Sequence, residues 1–325
     1  MRQLTFCQAI NDALRELLAD DPSVILIGQG VKSPWYVGQT TVGLVDAFGE
    51  DRVIDTPVSE GGITGAAVGA ALAGLRPIVE HPRMDFMYLA MDQICNHAAP
   101  WHYMFGGKTS VPLTIWGIVN RYGEQAAQHS QAMQALFAHV PGLTVVMPSH
   151  PYDAKGLLVA AVRDDNPVLF IDERKLYERM GEVPEGLYEV PLGKGVVRRQ
   201  GRDVTVAATS YMVHEALAAA AVLEREGIDV EVFDPLTVKP LDEEGLLASV
   251  RKTGRFVAAD GAWRTCGVAA EMAALVAEKA FDALTAPVRR VTLPDLPAPA
   301  SRVLEEAYYV GADHIAQAVR SVMGR

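Results

Sequence analysis

RVIDTPVSEGGITGAAVGAALAGLRPIVE, running from Arg52 to Glu80, decides the fold. It opens as a β-branched strand, passes through a short acidic turn, continues as a glycine- and alanine-rich helix and closes as a second strand. From Gly62 to Leu75 nearly every residue is small or apolar, and Gly61, Gly65 and Gly69 recur at the spacing that lines one helical face. Glycine costs a helix about 1 kcal/mol relative to alanine, so three on one face predict close packing there. The same spacing marks helix contacts in membranes, but the run stops at Arg76, short of the ~20 apolar residues a bilayer needs. Glu60 stands where the strand ends and the helix begins. A carboxylate there is either a first-turn residue favoured by the helix dipole or a buried acid with chemistry to do.

The rest of the chain narrows the choice. With 325 residues, 50% of them hydrophobic and 21% charged, it is long enough for two globular domains. A net charge of −11 and the lack of any Lys/Arg run argue against a nucleic-acid partner. Cys7, Cys95 and Cys266 lie far apart without a CxxC pair, which signals neither a disulfide framework nor a zinc site and fits a reducing compartment. The N-terminal MRQLTFCQAINDALRELLADDP has an amphipathic helix pattern rather than an apolar signal core. The expectation is a cytoplasmic protein with no membrane segment.

Outward from the central stretch, strands and helices alternate. Before it come the first helix, the strand VILIGQG (Val24 to Gly30) and a loop from Val31 to Gly49 with a short helix near Val42 to Phe48. After it, MDFMYLAMDQICNHAA places Phe86, Leu89, Ile94 and Ala98 at helical spacing. The strand VPLTIWGIV, the polar loop NRYGEQAAQHSQ, the helix QAMQALFAHV, LTVVMP, DAKGLLVAAVRD and PVLFID follow. Such alternation predicts a parallel sheet covered on both faces. From Tyr177 to Asp203 the pattern lapses into glycine, proline and charge, and then restarts through VTVAATS, VEVFDP, FVAAD and PVRRVTL with helices between, two of them stopped by Gly227 and Gly254. The fold class is therefore α/β with two parallel-sheet domains, read as residues 1–185, a linker over 186–202, and 203–325.

Ligands of open parallel sheets bind at the carboxyl ends of strands. Three unusual features fall there: Glu60 after RVIDTP, the Asp85–Phe86 pair after RPIVE, and His129 after VPLTIWGIV. A lone histidine is usually a capping or core residue, yet a polar, glutamine-rich loop at a strand tip suits a proton carrier better. Other signals fail. Gly107-Lys108-Thr109 resembles the end of a phosphate loop, but His102 stands where its first glycine belongs; no GxGxxG or GxSxG occurs, and His97, His102 and His214 lack metal-ligand spacing.

Taken in order, DTPVSEGGITGAAVGAALAGLRPIVE, MDFMYLAMDQICNHAA, AQHSQAMQALFAHVPGLTVVMPSHPYDAKGLLVAAVRDDNPVLF, VPLGKG and DVTVAATSYMV closely resemble the beta subunit of thiamine diphosphate-dependent 2-oxo acid dehydrogenases. The resemblance runs from near the N-terminus to the end. It implies a pyrimidine-binding domain followed by a transketolase C-terminal-like domain. It further implies that Glu60 is the catalytic glutamate that hydrogen-bonds N1′ of the cofactor's aminopyrimidine, that Val58 lies against that ring and Phe86 stacks on it, and that His129 faces substrate and handles protons. The family often holds a structural potassium ion on carbonyls near the equivalents of Leu113, Thr114, Ala161, Asp164 and Asn166.

The GDG motif that would hold the diphosphate and its magnesium has no match here, since Asp260–Gly261 lacks the pattern. In the family the alpha subunit provides it. The resemblance thus implies an α2β2 heterotetramer, with magnesium held outside this chain, a 2-oxo acid as substrate and a lipoyl acyltransferase as partner. A carboligase using the same cofactor for acyl or ketol transfer, as in acetoin metabolism, is the second reading, and a non-catalytic structural or regulatory subunit the third. Departures from the family are Arg121, Tyr122, Glu124 and Gln125 in the loop before HSQ, Arg83-Met84 before Asp85, and Asp260 where a glutamate is common. Arg83 and Arg121 are expected to bring positive charge near the substrate mouth.

Overall fold

The computed structural model describes residues 1–33 and 37–324 and divides the chain into two units. The first comprises Met1–Arg121 with Leu136–Leu192, the second Tyr122–Ala135 with Gly193–Arg325. Part of the loop read from Val31 to Gly49, residues 34–36, lies outside the described residues.

In the first unit, β1 (Arg2–Thr5) pairs antiparallel with β8 (Met180–Val183), two strands that the sequence reading did not separate from their surroundings. Thr5 then caps α1 (Phe6–Asp20) through a capping box with Gln8. Next come β2 (Val24–Gly28), α2 (Leu44–Phe48), β3 (Val53–Asp55), α3 (Glu60–Leu72), β4 (Arg76–His81), α4 (Trp101–Met104), β5 (Thr114–Val119), α5 (Gln134–Ala138, whose first two residues belong to the second unit), β6 (Thr144–Val146), α6 (Pro151–Arg163) and β7 (Val168–Glu173). Six parallel strands run in the order β6-β7-β5-β4-β2-β3. Every residue of β2, β5 and β7 is buried, which is why they read as continuous apolar runs rather than alternating ones. Lys155 of α6, fully buried, joins α1 through Asp12 at 2.6 Å and Glu16 at 2.8 Å.

MDFMYLAMDQICNHAA is not a regular α-helix. Met84–Ala90 forms a 3₁₀ helix and Gln93–Ala98 a π-helical turn. The reason is legible in what is buried: Met84, Met87 and Ala90, spaced by three, are fully covered, and three residues per turn is the 3₁₀ period. Phe86 and Leu89 consequently face outward, while Ile94 and Ala98 are buried as expected.

The second unit contains β9 (Val196–Arg199), β10 (Val204–Ala208), α7 (Met212–Glu224), β11 (Val230–Asp234), β12 (Thr237–Lys239), α8 (Glu243–Thr253), β13 (Phe256–Trp263), α9 (Val268–Lys279), β14 (Arg289–Leu293), α10 (Arg302–Tyr308) and α11 (Ala312–Met323). Its sheet runs β14-β13-β10-β11-β9, parallel except for the edge strand β9. Val206, Val213, Ala220, Leu223, Val232 and Val319 form the core between that sheet, α7 and α11. Gly254, at φ 68°, ends α8 in the left-handed conformation anticipated for a glycine stop.

Both sheets have a switch point. In the first, the chain leaves β2 for β3 on one side and returns to β4 on the other; in the second, it leaves β10 for β11 and later returns to β13. The carboxyl ends of β2 and β4, and of β10 and β13, are therefore the two crevices where ligands are expected. Among the described residues no helix is long and apolar enough to cross a membrane.

Candidate active site

Glu60 is the first residue of α3, after the short turn 56–59 that follows β3, and only 6% exposed. The helix can press against the 3₁₀ segment because Gly61 has no side chain: a Cβ there would lie 2.9 Å from the Leu89 carbonyl oxygen. Gly65 is in ordinary contact range of Gln93, and Gly69 faces open space. The glycine stripe thus marks close approach at its N-terminal end, where the acid is. Val58 and Phe86 belong to the same unit and keep 69% and 36% of their surface exposed, whereas Asp85 is buried.

The carboxyl end of β4 holds groups that the sequence reading missed. Glu80 is fully buried with both carboxylate oxygens lacking a hydrogen-bond partner among the described residues, and burial, reinforced by Asp172, pushes its pKa well above the usual carboxylate range. Gly28 on β2 makes room for it, since a Cβ there would stand 2.8 Å from that of Glu80. His81, next along, is held down to about 4 by burial and shares a 3.2 Å hydrogen bond with Thr64 of α3. Asp172 is pushed up to about 7 by burial, against hydrogen bonds donated by Trp116 Nε1 at 3.0 Å and the Tyr177 hydroxyl at 3.2 Å. The signal was present: RPIVEH ends an apolar strand on an acid and an imidazole.

His129 is half-buried and lies in the other unit, on the segment Tyr122–Ala135. The structure does not bring it into one unit with Glu60. Its loop is unusual, with positive φ at Tyr122, Gly123, Glu124 and Ala126. The Tyr122 ring packs on Tyr309 with centroids 4.3 Å apart, and the Glu124 N–H donates to both carboxylate oxygens of the buried Glu305, at 3.1 and 3.2 Å. Further on, Gln134 Nε2 donates to Asp260 Oδ1 at 2.8 Å, the oxygen that also accepts from Thr209. The helix expected over QAMQALFAHV is accordingly short, starting only at Gln134.

Arg121 does not supply free charge to a substrate mouth. Its side chain is buried, and Nε and Nη2 both donate to Glu173 Oε1, at 2.9 and 2.6 Å, so the pair cancels inside the protein. Arg83 donates to the Pro82 carbonyl. In the carbonyl set read for potassium, Leu113 O already accepts from Val168 N–H, and Asp164 O accepts from Arg76 Nη1, each at 3.0 Å. A guanidinium therefore already brings positive charge to the end of α6.

Comparison with known proteins agrees along almost the whole chain. Residues 2–180 match the transketolase pyrimidine-binding domain and 193–315 the transketolase C-terminal domain. The chain is 44% identical over 335 residues to the acetoin:2,6-dichlorophenolindophenol oxidoreductase subunit beta of Bacillus subtilis, covering 99% of this chain and 98% of that one. It is 46% identical over 332 residues to the protein of that name from Cupriavidus necator, again 99% and 98% covered. Against the pyruvate dehydrogenase E1 component subunit beta of Rickettsia felis it is 42% identical over 320 residues, with 98% of each covered. A solved split-gene transketolase, an inactive beta4 tetramer, shares the fold at a TM-score of 0.80 and 24% identity, over 99% of this chain and 98% of that one. The chain belongs to the transketolase-like family of thiamine diphosphate enzymes, as a beta subunit of the 2-oxo acid dehydrogenase first component, of the pyruvate and acetoin dehydrogenase kind.

Proposed function

We propose that this chain is the beta half of an enzyme that decarboxylates a 2-oxo acid and transfers the acyl group to a lipoyl acceptor. The observation that carries the reading is Glu60, an almost buried carboxylate that opens the helix after β3, in a unit that also holds the exposed apolar surfaces of Val58 and Phe86. A flat heterocycle with a polar edge fits that donor set: apolar side chains for its faces and an acid for a ring nitrogen. When bound, thiamine diphosphate supplies the nucleophilic carbon and the electron sink that such cleavage needs. Glu60 then holds a proton at the pyrimidine N1′, Val58 and Phe86 orient the ring and exclude water, and His129 carries protons to and from the substrate. The diphosphate and magnesium belong on an alpha partner in an α2β2 assembly, because no GDG motif occurs in this chain. A potassium ion at Leu113, Thr114, Ala161, Asp164 and Asn166 would share the Asp164 carbonyl with Arg76, and no step depends on it. The three free cysteines suit the cytoplasm.

A second reading, cleavage of acetoin in place of a 2-oxo acid, draws support from the 44% and 46% identities to acetoin-named relatives. One experiment separates the two. The chain is assembled with its alpha partner, thiamine diphosphate and magnesium, and reduction of an artificial electron acceptor is followed with pyruvate, branched-chain 2-oxo acids and acetoin. Turnover with a 2-oxo acid that disappears in Glu60→Gln supports the first reading; turnover with acetoin alone replaces it with the second. An assembled complex that binds cofactor yet turns over nothing would reduce the chain to a structural subunit.

A further inference from the structure

We infer that the second unit serves the reaction as a socket, in which Glu305 and Asp260 are positioning residues that hold the loop 122–135, and through it His129, in one conformation. The inference rests on the reading of His129 as the proton carrier. It begins with the backbone. Tyr122, Glu124 and Ala126 stand at φ 61°, 61° and 60°, a left-handed conformation that residues with a side chain rarely adopt. Such residues persist only where the surroundings over-determine them.

Here the surroundings act at both ends. At the front, Glu305 is 2% exposed and turns both carboxylate oxygens to the single N–H of Glu124, while Tyr122 lies on Tyr309. A buried carboxyl group given over to one backbone amide is a strong local constraint. At the rear, Gln134 is fully buried and its amide reaches Asp260 beside the Thr209 hydroxyl. Thr209 follows β10 and Asp260 lies where β13 outruns its pairing with β10, so together they mark the switch-point crevice of this unit. Folds of this kind take a ligand there. In this protein the crevice takes the chain's own Gln134. His129 is five residues from Glu124 and five from Gln134, midway between the clamps. Its neighbour Ser130 is already buried, and its own N–H donates to the Ala126 carbonyl at 3.4 Å.

The test uses the chain assembled with its alpha partner, cofactor and magnesium. Glu305→Ala, Glu305→Gln, Gln134→Leu and His129→Ala are compared by hydrogen–deuterium exchange of peptides covering residues 126–131 and by steady-state kinetics. Glu305→Ala should speed that exchange and lower kcat about tenfold, within the up to ~10²-fold cost of a catalytic group misplaced by about 1 Å, with the KM for thiamine diphosphate unchanged. Glu305→Gln keeps a carbonyl acceptor and should recover most of both. Combined with His129→Ala, Glu305→Ala should cause no further loss, because it acts through that histidine. Should Glu305→Ala fail to assemble, Gln134→Leu carries the same expectations from the other clamp. Unchanged exchange, or an equal loss on the His129→Ala background, overturns the positioning role alone. A fully active His129→Ala enzyme overturns the reading of His129, and with it any role for the socket in the chemistry.

Discussion

The two units repeat one architecture and use it in opposite ways. Each has a mainly parallel sheet with a crevice at its switch point, and each carries a buried carboxylate beyond the carboxyl end of a strand. In the first unit, which holds the nearly buried Glu60, Val58 and Phe86 keep exposed apolar surface. In the second, Asp260 is fully buried and engaged by Gln134 and Thr209 of the same unit. The sheet therefore specifies where a site can be, and the side chains that reach the crevice decide whether it is a site at all.

The sharpest way to break this contrast is the same near-isosteric change in both crevices. Glu60→Gln should lower kcat of the assembled enzyme about 10³-fold, within the range for removal of a general acid–base group, while Asp260→Asn should cost no more than about tenfold. Equal losses in the dye-reduction assay would erase the distinction. Next in size is the packing that sets Glu60. Gly61→Val forces side-chain atoms against the Leu89 carbonyl, 2.9 Å from the added Cβ. It should destabilise the chain by about 2 kcal/mol in urea unfolding.

A pH dependence tests the buried titratable groups of β4 and β7. Asp172 titrates at about 7 in the folded chain because of burial, against about 4 when unfolded. Its proton is held more tightly in the native state, so its contribution to stability is full below about pH 4 and is lost as the pH rises to about 7. Asp172→Asn removes that slope, and melting curves across the window should flatten; an unchanged pH dependence would contradict the assignment. His81 acts with the opposite sign, its contribution being lost as the pH falls from about 6.5 towards about 4. Smallest is Gly69→Ala, which meets nothing within 4 Å and should stabilise the isolated chain by about 0.5–1 kcal/mol through helix propensity. A loss instead would mean that the tight approach at Gly61 extends along the helix.

Much of this was legible in the chain. The strand–helix alternation led to two parallel sheets, and the acid between RVIDTP and the glycine-rich helix drew attention to Glu60 before any contact was known. The segment after β4 was misread in its period, because three- and four-residue spacings coexist in MDFMYLAMDQICNHAA and only burial of Met84, Met87 and Ala90 chooses between them. Arg121 was misread because its partner Glu173 lies 52 residues away, at the end of β7.

By itself, then, the sequence determined what depends on local chemistry: which stretches are strands and helices, where glycine permits close approach, and which acid begins α3. Tertiary structure alone decided what depends on distant residues meeting in low dielectric. It buried Glu80 completely, set Trp116 on Asp172, cancelled Arg121 against Glu173, and carried the loop of His129 into the second unit, where Glu305 is 181 residues beyond the Glu124 amide it receives. Burial changes the cost of charge, and burial is a property of the assembled chain rather than of any segment of it.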